Sequence, residues 1–429
     1  MSKQKISNLI LRKLIHFQLT LSYRNLIFLL LLFGSISCKE DYGRKIQFLE
    51  TGSLKPMPDV WIDNVTGHRV IRLIPGNGDN RSFYFHNNPF VPSDGKNNDK
   101  MIFYRKVNNN YQLFSIDLKT REIEQLTFKN NVRGEIVGKK IRRVFYQCGD
   151  SVFSTGIEDH ITKLIYVFPK GIVGTISTLN ADETLLAGAL ITKDELEILN
   201  KYSNKADYFE RIFEAKLPRT LFTINIKTGE FKKIYTENAW LNHIQFSPVD
   251  PELLMFCHEG PWHKVDRIWL MNINDAKPKL MHKRTIEREI AGHEFFSPDG
   301  ENIWYDLQIP RGETFYLASV NIKSDKSIKY GLKRDEWSIH FNISPDQKLF
   351  AGDGGDSGQV AKAKNGMWIY LYKPVGDSLR SEKLVNMKHH DYKLEPNVHF
   401  SPDGKFVIFR ANFEGHPDIY AVEIKKYKN

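Results

Sequence analysis

One turn recurs along this chain and decides its architecture. The pattern Ser-Pro-Asp-Gly, set between two apolar strands, is complete at Ser297-Pro298-Asp299-Gly300 and Ser401-Pro402-Asp403-Gly404. Shorter forms stand at Ser247-Pro248-Val249-Asp250 and Ser344-Pro345-Asp346, and weaker ones at Pro92-Ser93-Asp94-Gly95 and Asn180-Ala181-Asp182-Glu183. A degenerate copy falls near Gly138-Lys139-Lys140. Proline presets φ for a tight turn, and the Asp carboxylate accepts from the amides that follow. Taken at the proline or its equivalent, the seven turns fall at 92, 138, 181, 248, 298, 345 and 402. Alternating strands such as Lys405–Phe409 and Leu221–Ile226 flank them. Four short strands per repeat, repeated seven times, predict an all-β chain folded as a seven-bladed β-propeller. A β-sandwich would not space its turns so evenly across the chain.

The interval from 181 to 248 is too long for one repeat. Its excess opens with Thr192-Lys193-Asp194-Glu195, a capping box, and continues with Leu196, Ile198, Leu199, Tyr202, Tyr208, Phe209, Ile212 and Phe213. This predicts a helical insertion over one mouth of the propeller. The ring must also close, and the early strand Gly67–Leu73 is expected to pair with the last blade near Ile419–Val422.

Residues 26–33 form an apolar run behind a basic segment that ends at Arg24, too short to span a bilayer and suited to a signal-peptide core. Gly34-Ser35-Ile36-Ser37 then leads into Cys38 in the manner of a lipobox, although Ser35 stands where Leu is usual. The expected layout is a signal peptide at 1–37, a lipoprotein linker at 38–58 and the propeller at 59–429. The protein is then an exported lipoprotein on the periplasmic or surface face of an outer membrane, held to the membrane only through its N-terminal lipid. The leader carries five of the 61 Lys and Arg residues and no Asp or Glu, so the remainder holds 56 basic against 51 acidic residues, or +5. That balance, without basic blocks, gives no support to nucleic-acid binding. Cys148 and Cys257 lack metal-knuckle spacing and are expected to be buried thiols.

Polar residues just ahead of the turns mark a candidate site, because each innermost strand leads into its turn and lines the axis. His243, His293 and His340 each lie four residues before their turn's serine. Glu395, Asn397 and His399 precede the last turn two apart, which on a regular strand puts them on one face. Such a set makes a plausible nitrogen and oxygen metal site. Any single histidine reads more simply as hydrogen-bonded packing of the channel, but the convergent set favours the site.

Cys257-His258-Glu259-Gly260-Pro261 matches a signature pentapeptide of the oligogalacturonate lyases, polysaccharide lyase family twenty-two. The flanking Ala239–His243 and Val265–Leu270, together with His293-Glu294-Phe295, Gly352-Asp353-Gly354, Thr66–Val70 and Arg81–Phe85, fit the same family. The chain resembles that family over most of its length after about residue 60, with the insertion in the same interval. The resemblance implies metal-assisted β-elimination of short uronic-acid oligosaccharides during pectin breakdown. By it, His293 corresponds to the general base, Arg267 to a catalytic arginine and His340 to a metal ligand. The remaining family ligands, a glutamine and two histidines, fall here on Tyr392, Glu395 and Asn397. Glu395 and Asn397 are expected to bind the cation through oxygen, and strand parity offers His399 as a substitute nitrogen donor. Arg81, His243 and His258 are expected to contact substrate. The cation is expected to be Mn²⁺, with Ca²⁺ as the alternative, and the partners oligogalacturonides or related acidic oligosaccharides. Two other readings stay open, a propeller lyase for another uronate glycan and a non-catalytic binding propeller like TolB.

Overall fold

In the computed structural model, each Ser-Pro-Asp turn forms as its residues dictate. Ser401 Oγ donates to Asp403 Oδ1 at 2.6 Å and accepts from the Phe406 amide at 3.0 Å, while Asp403 Oδ1 accepts from the Lys405 amide at 3.1 Å. Gly404 takes the left-handed φ of 66° that closes the turn. The same bonds recur at Ser297 and Ser344.

The structure describes residues 46–76, 78–363 and 367–428, so the leader and Cys38 lie outside the described residues. Each turn joins an innermost strand to the next strand outward. The innermost strands are Phe90–Val91, Arg133–Gly138, Val173–Leu179, Leu241–Phe246, Ile290–Phe296, Phe341–Ile343 and His399–Phe400. Among the described residues the antiparallel strands group into seven sets, here blades one to seven in chain order. Blades five and six share one eight-stranded sheet through a single parallel bridge between Gly331 and Ser378. The core lies between blades. One cluster joins Phe90, Met101 and Ile116 of blade one to Ile408 and Ile419 of blade seven. No described helix is long and apolar enough to cross a membrane.

Ring closure occurs where expected. Strand His68–Arg72 completes blade seven by pairing antiparallel with Asp418–Lys426, Val70 opposite Val422 and Arg72 opposite Tyr420. The sheet extends further, through Val60–Asp63 to Phe48–Leu49. The expected linker at 38–58 therefore contains a strand of the propeller, and Thr51 and Met57 are buried in it. Arg72, only 4% exposed, is ion-paired with Glu414 and with Asp418 at 2.6 Å.

The insertion forms two helices, α1 (Lys193–Lys201) and α2 (Lys205–Ala215), between the second and third strands of blade three. Thr192 caps α1 by accepting from the Glu195 amide at 3.2 Å. Glu195 does not complete the capping box; its buried carboxylate pairs instead with Arg219, which also donates to Leu241 O at 2.9 Å. A tertiary ion pair replaces a local cap. Gly260 makes room for α2, since a Cβ there would stand 2.5 Å from Phe213. Phe209 of α2 packs on Trp240 with ring centres 5.2 Å apart. The insertion thus covers the mouth opposite the Ser-Pro-Asp turns.

Removing Arg72 leaves the buried carboxylates of Glu414 and Asp418 without their counter-charge at the closure. Arg72→Met is expected to cost about 3–5 kcal/mol of unfolding free energy, read from the denaturant midpoint. A midpoint matching the parent protein would show that the strand pairing alone closes the ring.

Candidate functional site

The innermost strands are not regular where the candidate residues sit. His243, His293 and Asn397 take left-handed φ values of 47°, 53° and 50°. The strand registers shift between Asn242 and Gln245, and between Gly292 and Phe295. A bulge of this kind re-aims a side chain and is costly for a residue with a Cβ, so its recurrence four residues before the turn marks a built feature. The left-handed φ of Asn397 also breaks the regular strand expected through Glu395, Asn397 and His399, although Asn397 and His399 both bond residues 82–88.

The axis is filled by a plug, the segment from Ser82 to Asn88. Glu135 of blade two accepts from the Tyr84 amide at 2.7 Å and from Asn87 Nδ2 at 2.9 Å. Asn397 Oδ1 accepts from the Phe85 amide at 2.9 Å, and Asn342 Nδ2 donates to Phe85 O at 3.1 Å. Arg410 donates to Ser82 O at 3.0 Å, and His399 Nε2 bonds Asn87 O at 3.1 Å. Two expectations are corrected here. Asn397, whose Nδ2 donates to Glu395 O, has its amide committed to backbone groups and is not a free cation ligand. His399 is likewise a plug anchor; it lines an apolar cavity of about 460 Å³ on the turn side, with Pro248, Pro298, Pro345 and Pro402.

On the other side of the plug the expected pieces converge. The His293 and His340 rings lie 5.0 Å apart, and Tyr84 packs edge-on to His340 at 5.1 Å and His243 at 5.9 Å. Arg267 is 5% exposed, donating to Glu259 at 2.7 Å through Nη1 and to Glu294 at 3.0 Å through Nε. Although burial opposes it, the charges of Arg267 and His243 hold the Glu259 carboxyl down at about 2. Burial first, then His340 and Arg267, keep His293 well below the ordinary imidazole range, so it is neutral. Its buried Nδ1 has no partner among the described residues.

His340 is oriented as a ligand would be. Its Nδ1 is 2.7 Å from Asp353 Oδ2, and its amide donates to Asp353 Oδ1 at 2.9 Å. A proton on Nδ1 leaves the Nε2 lone pair free, the usual supporting arrangement for a metal-binding imidazole. Nε2 stands 3.9 Å from Glu395 Oε2, whose side chain is 44% exposed. These two donors fit a divalent cation; the family position at Tyr392 does not, because its hydroxyl donates to Asp353 O and Gly354 O. His243, Cys257 and Glu259 also bring donor atoms within 4.8 Å of one another. There Arg267 already supplies the positive charge, and burial pushes the Cys257 thiol well up, against the thiolate that would bind metal.

The expected substrate residues divide. His243 lies in the cluster, 3.6 Å from Glu259. His258 is held elsewhere, 3.0 Å from Glu237 and stacked on Trp269 at 4.8 Å, which suits a structural role. Arg81 is a rim residue, paired with Asp79 at 3.1 Å and lying over Tyr111. Tyr84 was not singled out by sequence, because an aromatic within Phe83-Tyr84-Phe85 reads as core. Burial, then the Glu395 carboxylate, pushes its hydroxyl well above the ordinary range. Its only signal was membership of the matched segment Arg81–Phe85.

Fold and site together define a β-propeller with a neutral imidazole, a clamped arginine and the His340–Glu395 donor pair on its axis. The family model described as oligogalacturonate lyase matches residues 55–427, and the chain belongs to that family of carbon–oxygen lyases. Oligogalacturonide lyase of Pectobacterium atrosepticum is 26% identical over 84% of this chain and 95% of its own length. Oligogalacturonate lyase of Dickeya dadantii is 25% identical over the same shares. The solved oligogalacturonate lyase of Vibrio parahaemolyticus superposes with a TM-score of 0.75 at 25% identity, covering 86% of this chain and 97% of that one. A second solved structure, an oligogalacturonate lyase in complex with manganese, gives 0.74 at 24% identity, covering 86% and 96%.

The buried imidazoles set the acid limit of the fold. Burial lowers His399 and His390 from 6.5 to about 4, and lowers His86 and His293 as well. Below 6.5 the unfolded chain binds protons that the folded chain refuses, so stability is expected to fall as pH drops from 6.5 toward 4. Melting temperatures across that range test it, with a shallower slope expected for His399→Gln. A flat profile would contradict it.

Proposed function

We propose that this protein cleaves short oligogalacturonates by β-elimination at the axial site. The observation that carries the proposal is the neutral His293 set between Arg267 and the His340–Glu395 pair. His293 takes the C5 proton, which is acidified by the adjacent carboxylate, through its imidazole lone pair. Electrons from that C–H bond form the C4–C5 double bond as the C4–O4 bond breaks. The Tyr84 hydroxyl, kept protonated by burial and by Glu395, donates its proton to the departing O4; His293 then releases its proton to solvent as Tyr84 takes one back, restoring both groups. Glu259 and Glu294 fix Arg267 through Nε and Nη1, which leaves Nη2 for an anionic substrate group.

Four carboxyl groups, Glu259, Glu294, Asp353 and Glu395, surround this site against the guanidinium groups of Arg267 and Arg410. That acidic excess repels a uronate unless a cation offsets it. His340 and Glu395 would hold a divalent cation, which supplies charge neutralisation at the substrate carboxylate. An imidazole donor favours Mn²⁺ over Ca²⁺, as does the manganese in the solved relative. We further propose that the chain is exported and lipid-anchored through Cys38.

Ultraviolet absorbance of the new conjugated double bond, followed on digalacturonate, longer galacturonates and other uronates, tests the reaction. Chelator is expected to abolish it and Mn²⁺ to restore it, while His340→Ala and Glu395→Ala weaken Mn²⁺ binding by calorimetry. Full activity in excess chelator would overturn the cation assignment. His293→Ala is expected to lower kcat about a hundredfold or more without loss of folding, and to remove the acid limb of the pH profile. Near-normal kcat with a raised KM would move the base elsewhere. Cys38→Ala is expected to release an active protein from the membrane; continued anchoring after leader removal would refute the lipid attachment.

A further inference from the structure

Away from the axis, on the same mouth, four cations converge on a cavity of about 420 Å³. Arg288, Arg311, Arg334 and Lys362 line it, with Glu313 the one carboxylate among its lining residues. They come from four different loops. The Arg311 amide donates to Arg288 O at 2.8 Å, and Arg334 Nε donates to Val360 O at 2.9 Å. The Arg311 guanidinium lies 5.3 Å over the ring of Trp262, which is 37% exposed. All four cations are exposed, and no ion pair involves any of them among the described residues. Gathering like charges into one concavity costs free energy unless an anion compensates them.

The position of the cavity names that anion. Arg288 lies five residues before His293, and Arg334 six before His340, on the connections that feed the two histidine-bearing strands. At about 3.3 Å per extended residue, the cavity is within roughly 20 Å of the reacting centre. A galacturonate chain carries a carboxylate on every sugar, so an oligomer with one residue at the axis presents further carboxylates along this mouth. Guanidinium groups match those carboxylates in planar, two-pronged fashion, and Trp262 offers a face for a sugar ring.

We propose that this cavity is a distal subsite for uronate carboxylates, engaged only by oligomers longer than a dimer. The proposal rests on the lyase reading of the axial site. It is tested with the double variant Arg311→Ser/Arg334→Ser on digalacturonate and pentagalacturonate. The expected result is a KM for the pentamer raised about tenfold or more, the worth of one charge-assisted hydrogen bond. Digalacturonate KM and both kcat values stay unchanged, and the pentamer's KM loses part of its salt dependence. An unchanged pentamer KM, or an equal rise for both substrates, overturns the subsite. If the parent protein cleaves neither oligomer, the lyase reading fails separately, and calorimetric pentamer binding decides the subsite. Equal affinity in parent and double variant then rejects it, and weaker affinity in the variant supports it.

Discussion

A propeller aims side chains at one axis only while its ring is shut, and here one strand pairing shuts it. His68–Arg72 lies against Asp418–Lys426, and at its inner end Arg72 is buried between Asp418 and Glu414. Residues about 350 apart in sequence are thereby joined, and Asp418 also accepts from Asn80, directly ahead of the segment that enters the axis. The plug depends on that closure. Its backbone is bonded by blades two, six and seven at once, so opening the ring would separate the groups that hold it. Because Tyr84 belongs to the plug and packs on His340 and His243, the site is as rigid as the ring.

The electrostatics of the active mouth follow from what the plug and bulges bury. Burial favours neutral imidazoles, which suits a base, and gathers carboxyl groups around Arg267, which by itself would repel an acidic sugar. On the proposed reading, a cation at His340 and Glu395 would reverse that field at the centre. Farther out, the unpaired cations of blades five and six provide attraction without one. The two regions would, on these proposals, meet different carboxylates of one longer substrate, the axial site serving a dimer by itself.

Turn chemistry made the propeller legible in the sequence, since Ser-Pro-Asp contains its own hydrogen-bond partners. The positions of His243, His293 and His340 were legible for the same reason. A bulge at fixed distance from a recognisable turn leaves a fixed spacing, whatever its backbone angles. Spacing alone did not show the left-handed φ of Asn397, or that Asn397 and His399 spend their polar atoms on the plug. The plug was hidden: Ser82–Phe85 reads as a strand, and only long-range bonds from Glu135, Asn342 and Asn397 show that it occupies the axis. Glu195 carried a local signal, the capping box, that a tertiary partner, Arg219, overrode.

Asn397 and Tyr392 show what such a departure does to a site. At two positions where the family places ligands, this chain places groups whose hydrogen bonds hold the protein itself, one to the plug and one to the loop of Asp353. The cation position that remains has one imidazole fixed by Asp353 and one carboxylate open to solvent. Two protein donors fall short of the six or more that a hard cation takes, so substrate and water must complete the shell. On the proposed reading, cation and uronate would stabilise each other's binding, because each supplies what the other lacks, and linkage requires the effect to be mutual. A site with fewer protein ligands would, on that reading, keep its chemistry by transferring part of the cation's coordination to the substrate.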